Sequence, residues 1–355
     1  MPCNLYRCEL PLHSPLATSK GEISGRTSWV IELTDDRGHT GLGEAAPLPG
    51  FGGEDPESCD RVLNQVIQKL TPELVQRWLD RGKADAPLGM QIEPLLTSFP
   101  CARHAIEGAL IDLLAQSQDM PVAGLLNESA AVAVPVNALV ATPEDAGRAV
   151  RDGFKTVKIK ADKDPLTAAY TAMSARAAMG AGSILRMDAN GAWTLDEALT
   201  FADAAVAAQL EFIEQPLAVG DFEGMTAFRR RCRIPLAVDE SVRTAADVGR
   251  VGAAQAADIV VLKPQFLGGW RNVKQAIQLA RTCGLEPIIT TAIDGSIGRA
   301  FATHMAAACN LALRANGLAT GQLLVADLTS EPLVPNKGSI MVRERPGLGI
   351  GTLGG

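Results

Sequence analysis

From residue 134 onward, short apolar runs alternate with longer segments whose apolar positions recur at helical spacing. The short runs are VPVNALV, KTVKIK, ILRMDAN, EFIEQP, PLAVDES, DIVVLKP, EPIITTAID and GLATGQLL. Between them lie alanine-rich amphipathic stretches such as TLDEALTFADAAVAA and WRNVKQAIQLARTCG. Nearly all-apolar strands alternating with helices predict a parallel α/β sheet covered by helices. About eight such units over roughly 200 residues predict a TIM-type barrel rather than an open doubly wound sheet. No GxGxxG follows the first strand, so no dinucleotide site is indicated.

Residues 1–100 are patterned differently. SWVIELTDDRGHTGLGEAAP predicts two strands around a polar Asp-Arg-Gly turn, and helical spacing follows at 55–70 and 72–81. ARHAIEGALIDLLAQ (102–116) predicts a long helix leading into the barrel, with His104 packed on it rather than catalytic. The glycine- and proline-rich tail ERPGLGIGTLGG is expected to pack back on the first unit. The predicted organisation is an α+β unit over 1–100, completed by a tail over 328–355, and a barrel over 101–327.

Composition narrows the function classes. The chain is 47% hydrophobic and 21% charged, ordinary for a globular protein with a large core. Its net charge of −7 and lack of a basic stripe argue against nucleic-acid and anionic-membrane partners. No apolar run is long enough to span a membrane. MPCNLYRCELPLHSP has charges and prolines where a signal peptide needs an apolar run. Seven cysteines form no CxxC pair and read as reduced thiols of a cytoplasmic protein.

The chemistry sits at strand ends. Lys158 and Lys160 are two apart on one strand, so both ammonium groups face the same way. Asp188, Glu214 and Asp239 each close an apolar run in consecutive units, where an acid serves either as a helix N-cap or as a ligand. Adjacent strands lie about 5 Å apart, so three acids at one level converge, and their repulsion calls for a cation. Hard oxygen ligands with positions left for water and substrate suit Mg²⁺, with Mn²⁺ an alternative. Lys263 ends the sixth barrel strand, diametrically opposite the strand that carries Lys160. Such a mouth can take the proton alpha to a metal-held carboxylate, with one lysine on each face. The charge of Lys158, one layer deeper, is expected to favour a neutral amine on Lys160.

The ordered set TVKIK, DANGAW, FIEQP, VDES and VLKP resembles the muconate-lactonising subgroup of the enolase superfamily. The resemblance runs over nearly the whole chain. It implies a modified TIM barrel, (β/α)7β, with an N-terminal α+β capping domain. It further implies Lys160 as general base, Lys263 as the opposing lysine, Lys158 as a supporting cation, and Asp188, Glu214 and Asp239 as Mg²⁺ ligands. Asn190, Arg186, Glu240, Thr290, Thr291 and Gly268 complete the set as supporting or substrate-binding residues. GEAAPLPGFGGE (43–54) and RMDANGAW resemble o-succinylbenzoate synthases, lyases of menaquinone biosynthesis that dehydrate 2-succinyl-6-hydroxy-2,4-cyclohexadiene-1-carboxylate. On that resemblance the partner is a small carboxylate, a homo-oligomer is compatible, and substrate choice falls to capping loops near 12–26 and 47–54. Asp294 in TTAIDGSIG stands where many relatives have Glu-Ser. It reads as a helix N-cap, or as a group gripping a substrate's amino function as in dipeptide epimerases. A dipeptide epimerase or N-acyl amino acid racemase is the alternative activity.

Overall fold

The computed structural model describes residues 3–18 and 21–354. The chain opens with an antiparallel sheet in the order β1 (Cys3–Thr18), β2 (Gly21–Thr34), β3 (Thr40–Ala45). The β2–β3 turn forms because Asp35 Oδ1 accepts the backbone N–H groups of Arg37 and His39, at 2.9 and 2.8 Å. The helices α1 (Pro56–Ile67) and α2 (Pro72–Leu79) follow, each with proline in its first turn and a side-chain cap, Asp55 and Thr71. β1 is longer than the sequence pattern suggests. Residues 12–18 and 21–26, expected as a loop, are the two arms of this hairpin, with a register shift between Pro11 and Leu16. Prolines at 11 and 15 hide the strand alternation. Residues 19 and 20 of that expected loop lie outside the described residues.

Helix α3 (Pro100–Ser117) is buried nearly all round, which explains its lack of an amphipathic stripe. It packs on β2 and β3, and its Asp112 accepts the Leu42 N–H on one oxygen and the Leu348 N–H on the other, both at 2.8 Å. The C-terminal tail is thereby tied to the same helix. The short α4 (Val122–Leu126) and the strand β4 (Ala133–Pro135) lead to the barrel, and β4 pairs antiparallel with β12 (Ser339–Met341) from the tail.

Seven parallel strands follow in sequential order: β5 (Ala138–Val140), β6 (Thr156–Lys160), β7 (Ile184–Asp188), β8 (Leu210–Glu214), β9 (Leu236–Val238), β10 (Ile259–Leu262) and β11 (Glu286–Ile289). Helices α5 (Pro143–Arg151), α6 (Pro165–Met179), α7 (Leu195–Ala204), α8 (Phe222–Arg231), α9 (Ala245–Ala254), α10 (Pro264–Leu267), α11 (Trp270–Thr282) and α12 (Ser296–Ala308) alternate with them. The eighth strand position, at the start of GLATGQLL and the Asn316 before it, is reduced among the described residues to two parallel bridges, Val136 to Asn316 and Thr290 to Gly317. These bridges join the two ends of the sheet and close the (β/α)7β barrel. Inside it, Phe212, Ala237, Ile259, Val261 and Ile288 form a separate apolar cluster.

Candidate functional site

Strand register brings the charged residues together. Lys160 pairs with Asp188, and Asp188 with Glu214, so one level of the inner wall carries all three. Asp239 directly follows β9, and Lys263 directly follows β10. The N-cap reading of the acids fails on geometry. The helices after β7, β8 and β9 are capped by Thr194, Asp221 and Thr244 instead. Asp188, Glu214 and Asp239 are all buried.

Lys158 lies one pleat below. Its Nζ donates to Asp188 Oδ2 at 2.9 Å and to Glu214 Oε1 at 2.8 Å, while Lys263 Nζ is paired with Asp239. Burial alone would raise the Asp188 carboxyl, but Lys158 and the Asn190 N–H bring it below its usual range. Burial and the neighbouring Asp188 push Glu214 up to about 8, with Lys158 offsetting only part of this. The two lysines of the mouth diverge. Burial lowers Lys160, against the pull of Asp188 and Glu240, and Lys158 adds only a smaller lowering. Burial is thus the first cause, where the sequence pattern pointed to Lys158. Lys263 is raised, because Asp239 and Glu240 outweigh its burial.

These groups open into a cavity of about 650 Å³, lined on its floor by Lys158, Lys160, Asp188, Asn190, Asp239, Glu240 and Lys263. Its upper walls are apolar, with Leu16, Ile23, Leu48 and Phe51 from the N-terminal sheet and the loop after it. Asn190 donates to Glu240 Oε1 at 3.1 Å, leaving the buried Glu240 Oε2 without a partner. Thr290 and Thr291 also line the cavity. Their hydroxyls engage the closing segment, Thr290 donating to Gly317 O at 3.0 Å and Thr291 meeting Thr320 at 2.8 Å.

Two expected members lie elsewhere. Arg186 points beneath the floor, where it bonds to Glu211, Asn137 and Ala315 O and stacks on Phe212 with its guanidinium carbon 4.6 Å from the ring centroid. Its pairing with Lys158 in the sheet puts it in the layer below the acids. Gly268 ends α10 in the left-handed conformation beside Pro100 and Arg103, away from the cavity lining. Asp294 is neither an N-cap nor a lining residue. It is fully buried, with Oδ1 accepting the Ala292 N–H, and Gly295 holds the N-cap position of α12, with no side chain to cap it.

Gln215 escaped the sequence reading, although it sits in the quoted FIEQP. Its Oε1 accepts the N–H groups of Asp239 and Ser241 at 3.2 and 3.3 Å, and its Nε2 donates to Ser241 Oγ at 3.0 Å. It therefore ties the end of β8 to the end of β9. A long amide directly after an acid at a strand end was the available signal.

The donor set suits a hard divalent cation: three carboxylates on one wall and no nitrogen or sulfur ligand among them. Among the described residues no three such side chains stand close enough to form a ready-made cage. The ammonium groups of Lys158 and Lys263 are inserted among the carboxylates.

The comparisons with known proteins agree with this architecture. Residues 141–352 match the model "Enolase C-terminal domain-like", and residues 2–82 match "MenC, N-terminal domain". An o-succinylbenzoate synthase of Thermobifida fusca is 42% identical over 216 residues, covering 59% of this chain and 67% of that one. An L-Ala-D/L-Glu epimerase of Bacillus subtilis is 28% identical over 354 residues, covering 97% and 94%. A substrate-liganded structure of the L-Ala-D/L-Glu epimerase from Bacillus subtilis superposes with a TM-score of 0.86 at 26% identity, covering 100% and 99% of the two chains. With the barrel model spanning more than half of its length, this chain belongs to the enolase superfamily of enzymes, in company with relatives of the muconate-lactonising subgroup.

Proposed function

We propose that the protein is an o-succinylbenzoate synthase, a Mg²⁺-dependent lyase of menaquinone biosynthesis. It dehydrates 2-succinyl-6-hydroxy-2,4-cyclohexadiene-1-carboxylate to 2-succinylbenzoate and water. One observation carries the reading: Lys160 and Lys263, at the ends of strands β6 and β10 with the three acid-bearing strand ends between them, line a single cavity. Asp188, Glu214 and Asp239 would hold the metal, which supplies positive charge against a substrate carboxylate and so acidifies its α-carbon. Lys160, whose burial favours the neutral amine, takes the α-proton. Lys263, kept charged by Asp239, stabilises the enediolate from the other face. The C–O bond to the ring hydroxyl then breaks, the oxygen keeps the electron pair and takes a proton from the Lys160 ammonium to leave as water, and the ring becomes aromatic. Lys158 and Asn190 support the acids, and Glu240 and the two threonines border the substrate.

The similarity of residues 2–82 to a MenC N-terminal domain supports the lyase. So does the cavity wall formed by 290–293 and 317–323, whose described lining residues carry no charge with which to grip an ammonium group. The second reading is a dipeptide epimerase or N-acyl amino acid racemase, favoured by the full-length similarity to epimerases. We further propose a cytoplasmic protein with a capping unit over 1–100 and Mn²⁺ as a substitute ion. Among the described residues no helix is long and apolar enough to cross a membrane. The test is a spectrophotometric assay of the purified protein with Mg²⁺ and the cyclohexadiene. Loss of diene absorbance that EDTA stops and Mg²⁺ restores is the expected result. A metal-loaded protein inert toward the diene, yet exchanging the α-hydrogen of dipeptides in D₂O, would move the assignment to the epimerase.

A further inference from the structure

Ile293 lines the catalytic cavity with its backbone at φ +60°. Of the described non-glycine residues with positive φ, the others being Asp, Asn, Gln and Lys, it alone is β-branched. A β-branched residue in this region is strained and persists only where its surroundings impose it.

The surroundings are explicit. Asp294 Oδ1 spans the residue by accepting the Ala292 N–H at 3.0 Å, and Arg299 Nη1 holds the Asp294 carbonyl at 2.8 Å. The next turn is gripped from the N-terminal sheet. Glu44, on β3 and fully buried, accepts the Gly295 N–H on Oε1 and the Gly298 N–H on Oε2, each at 2.7 Å. Ser28 on β2 steadies the same carboxylate at 2.8 Å. Glu44 thus supplies from another sheet part of the cap that Gly295 cannot give, with Asp327 Oδ1 accepting the Ser296 N–H at 2.6 Å. A Cβ at 295 would clash with Leu328 Cδ1 and meet Glu44 Oε1 at 3.0 Å, and one at 298 would meet Asp294 Cβ at 2.9 Å and Glu44 Oε2 at 3.1 Å, so a larger residue at either point would crowd the clamp. Gln265, two residues after Lys263, joins the same strand through Glu44 O and Ala46 N, at 3.0 and 3.1 Å.

We infer that Glu44 and Asp294 are positioning residues that clamp Ile293 in its left-handed conformation. Ile293 thereby forms the wall that selects carboxylates bearing an uncharged group on that side. This rests on the proposed function for the substrate, but the clamp itself is read from folding. Stability is measured on the full chain for Ile293→Gly and Ile293→Ala, alone and combined with Glu44→Gln. Glycine ordinarily destabilises relative to alanine, and at a positive φ the order inverts. Ile293→Gly is therefore expected to melt about 2 °C above Ile293→Ala, and Glu44→Gln to shrink that gap. In the diene assay, Ile293→Gly and Glu44→Gln are expected to raise KM about tenfold with kcat changed much less. A role confined to stability would lower Tm and leave KM alone. Alanine melting at or above glycine, a gap indifferent to Glu44→Gln, or an unchanged KM overturns the inference. If the wild-type protein turns over no diene, the function reading falls, and the melting order still decides the clamp.

Discussion

The ammonium group of Lys158 reaches across an intervening strand to Glu214, 2.8 Å away, while also bonding to Asp188 on the strand between. One lysine therefore bridges two buried acids and offsets part of their mutual repulsion.

Lys158→Met removes that charge and keeps the stem. We expect the metal-free variant to lose about 3 kcal/mol of stability, the scale for stranding a buried partner. Saturating Mg²⁺ should recover most of the loss, because the ion replaces the missing charge. Denaturant unfolding with and without Mg²⁺ measures this, and a deficit indifferent to the metal would contradict the ligand assignment.

Lys160→Ala is expected to lower turnover by about 10³-fold or more, the range for a lost proton-transfer group. Mg²⁺ affinity should stay within a few-fold of wild type, since Lys160 is not among the groups assigned to hold the ion. Calorimetric Mg²⁺ titration beside the activity assay separates the two effects. Substantial residual turnover would remove Lys160 from the role of base.

Gln215→Ala should weaken Mg²⁺ binding about 10- to 100-fold, the usual consequence of removing a group that orients a ligand. The residue touches the Asp239 and Ser241 backbone rather than the cavity, so the base chemistry at saturating metal should survive. Metal titration of activity reads both quantities.

His304 makes acid a stress for the fold. Its Nδ1 accepts the Ala123 N–H at 2.9 Å, and its Nε2 lies 3.1 Å from Leu348 O, so the neutral ring is required. Burial lowers its pKa from 6.5 to about 4. The unfolded chain then binds more protons than the folded one between pH 6.5 and about 4, and stability falls as pH drops through that window. From pH 7 to pH 5 the contribution of this ring is about 2 kcal/mol. His304→Gln, which keeps an acceptor and a donor, should show correspondingly less loss over the same interval in urea unfolding. Equal losses in the two proteins would reject the account.

The barrel was legible because its strands are apolar on both faces and its helices begin with clear caps, such as the capping boxes at Thr194 and Thr244. Lys160, Asp188 and Glu214 could be grouped because a strand end is a fixed place in a βα unit and parallel register carries it sideways. What the pattern could not carry was direction beyond the ladder. Arg186 has the same parity as the site acid Asp188 two residues on, yet its long side chain runs down onto Phe212 and Glu211. Asp294 looked like a helix cap because it precedes one. The first N–H groups of the helix are taken instead by Asp327 and by Glu44, the latter 254 residues before Gly298, partnerships no local spacing encodes. β1 was missed where prolines broke its alternation.

The closing seam of the barrel separates two design tasks. The proposed proton chemistry rides on β6 to β10, where each strand pairs in parallel with the strand on either side, so a shift in one would be transmitted to its neighbours. Among the described residues the opposite side is sealed at two bridged positions, Asn316 and Gly317, with the Asn316 side-chain oxygen accepting the Ile289 N–H and threonine hydroxyls completing the join. Beyond those two positions, the lining residues Ala319 and Leu323 belong to none of the strands that hold the lysines and acids. The pocket can therefore be reshaped at such positions while the reactive wall keeps its register.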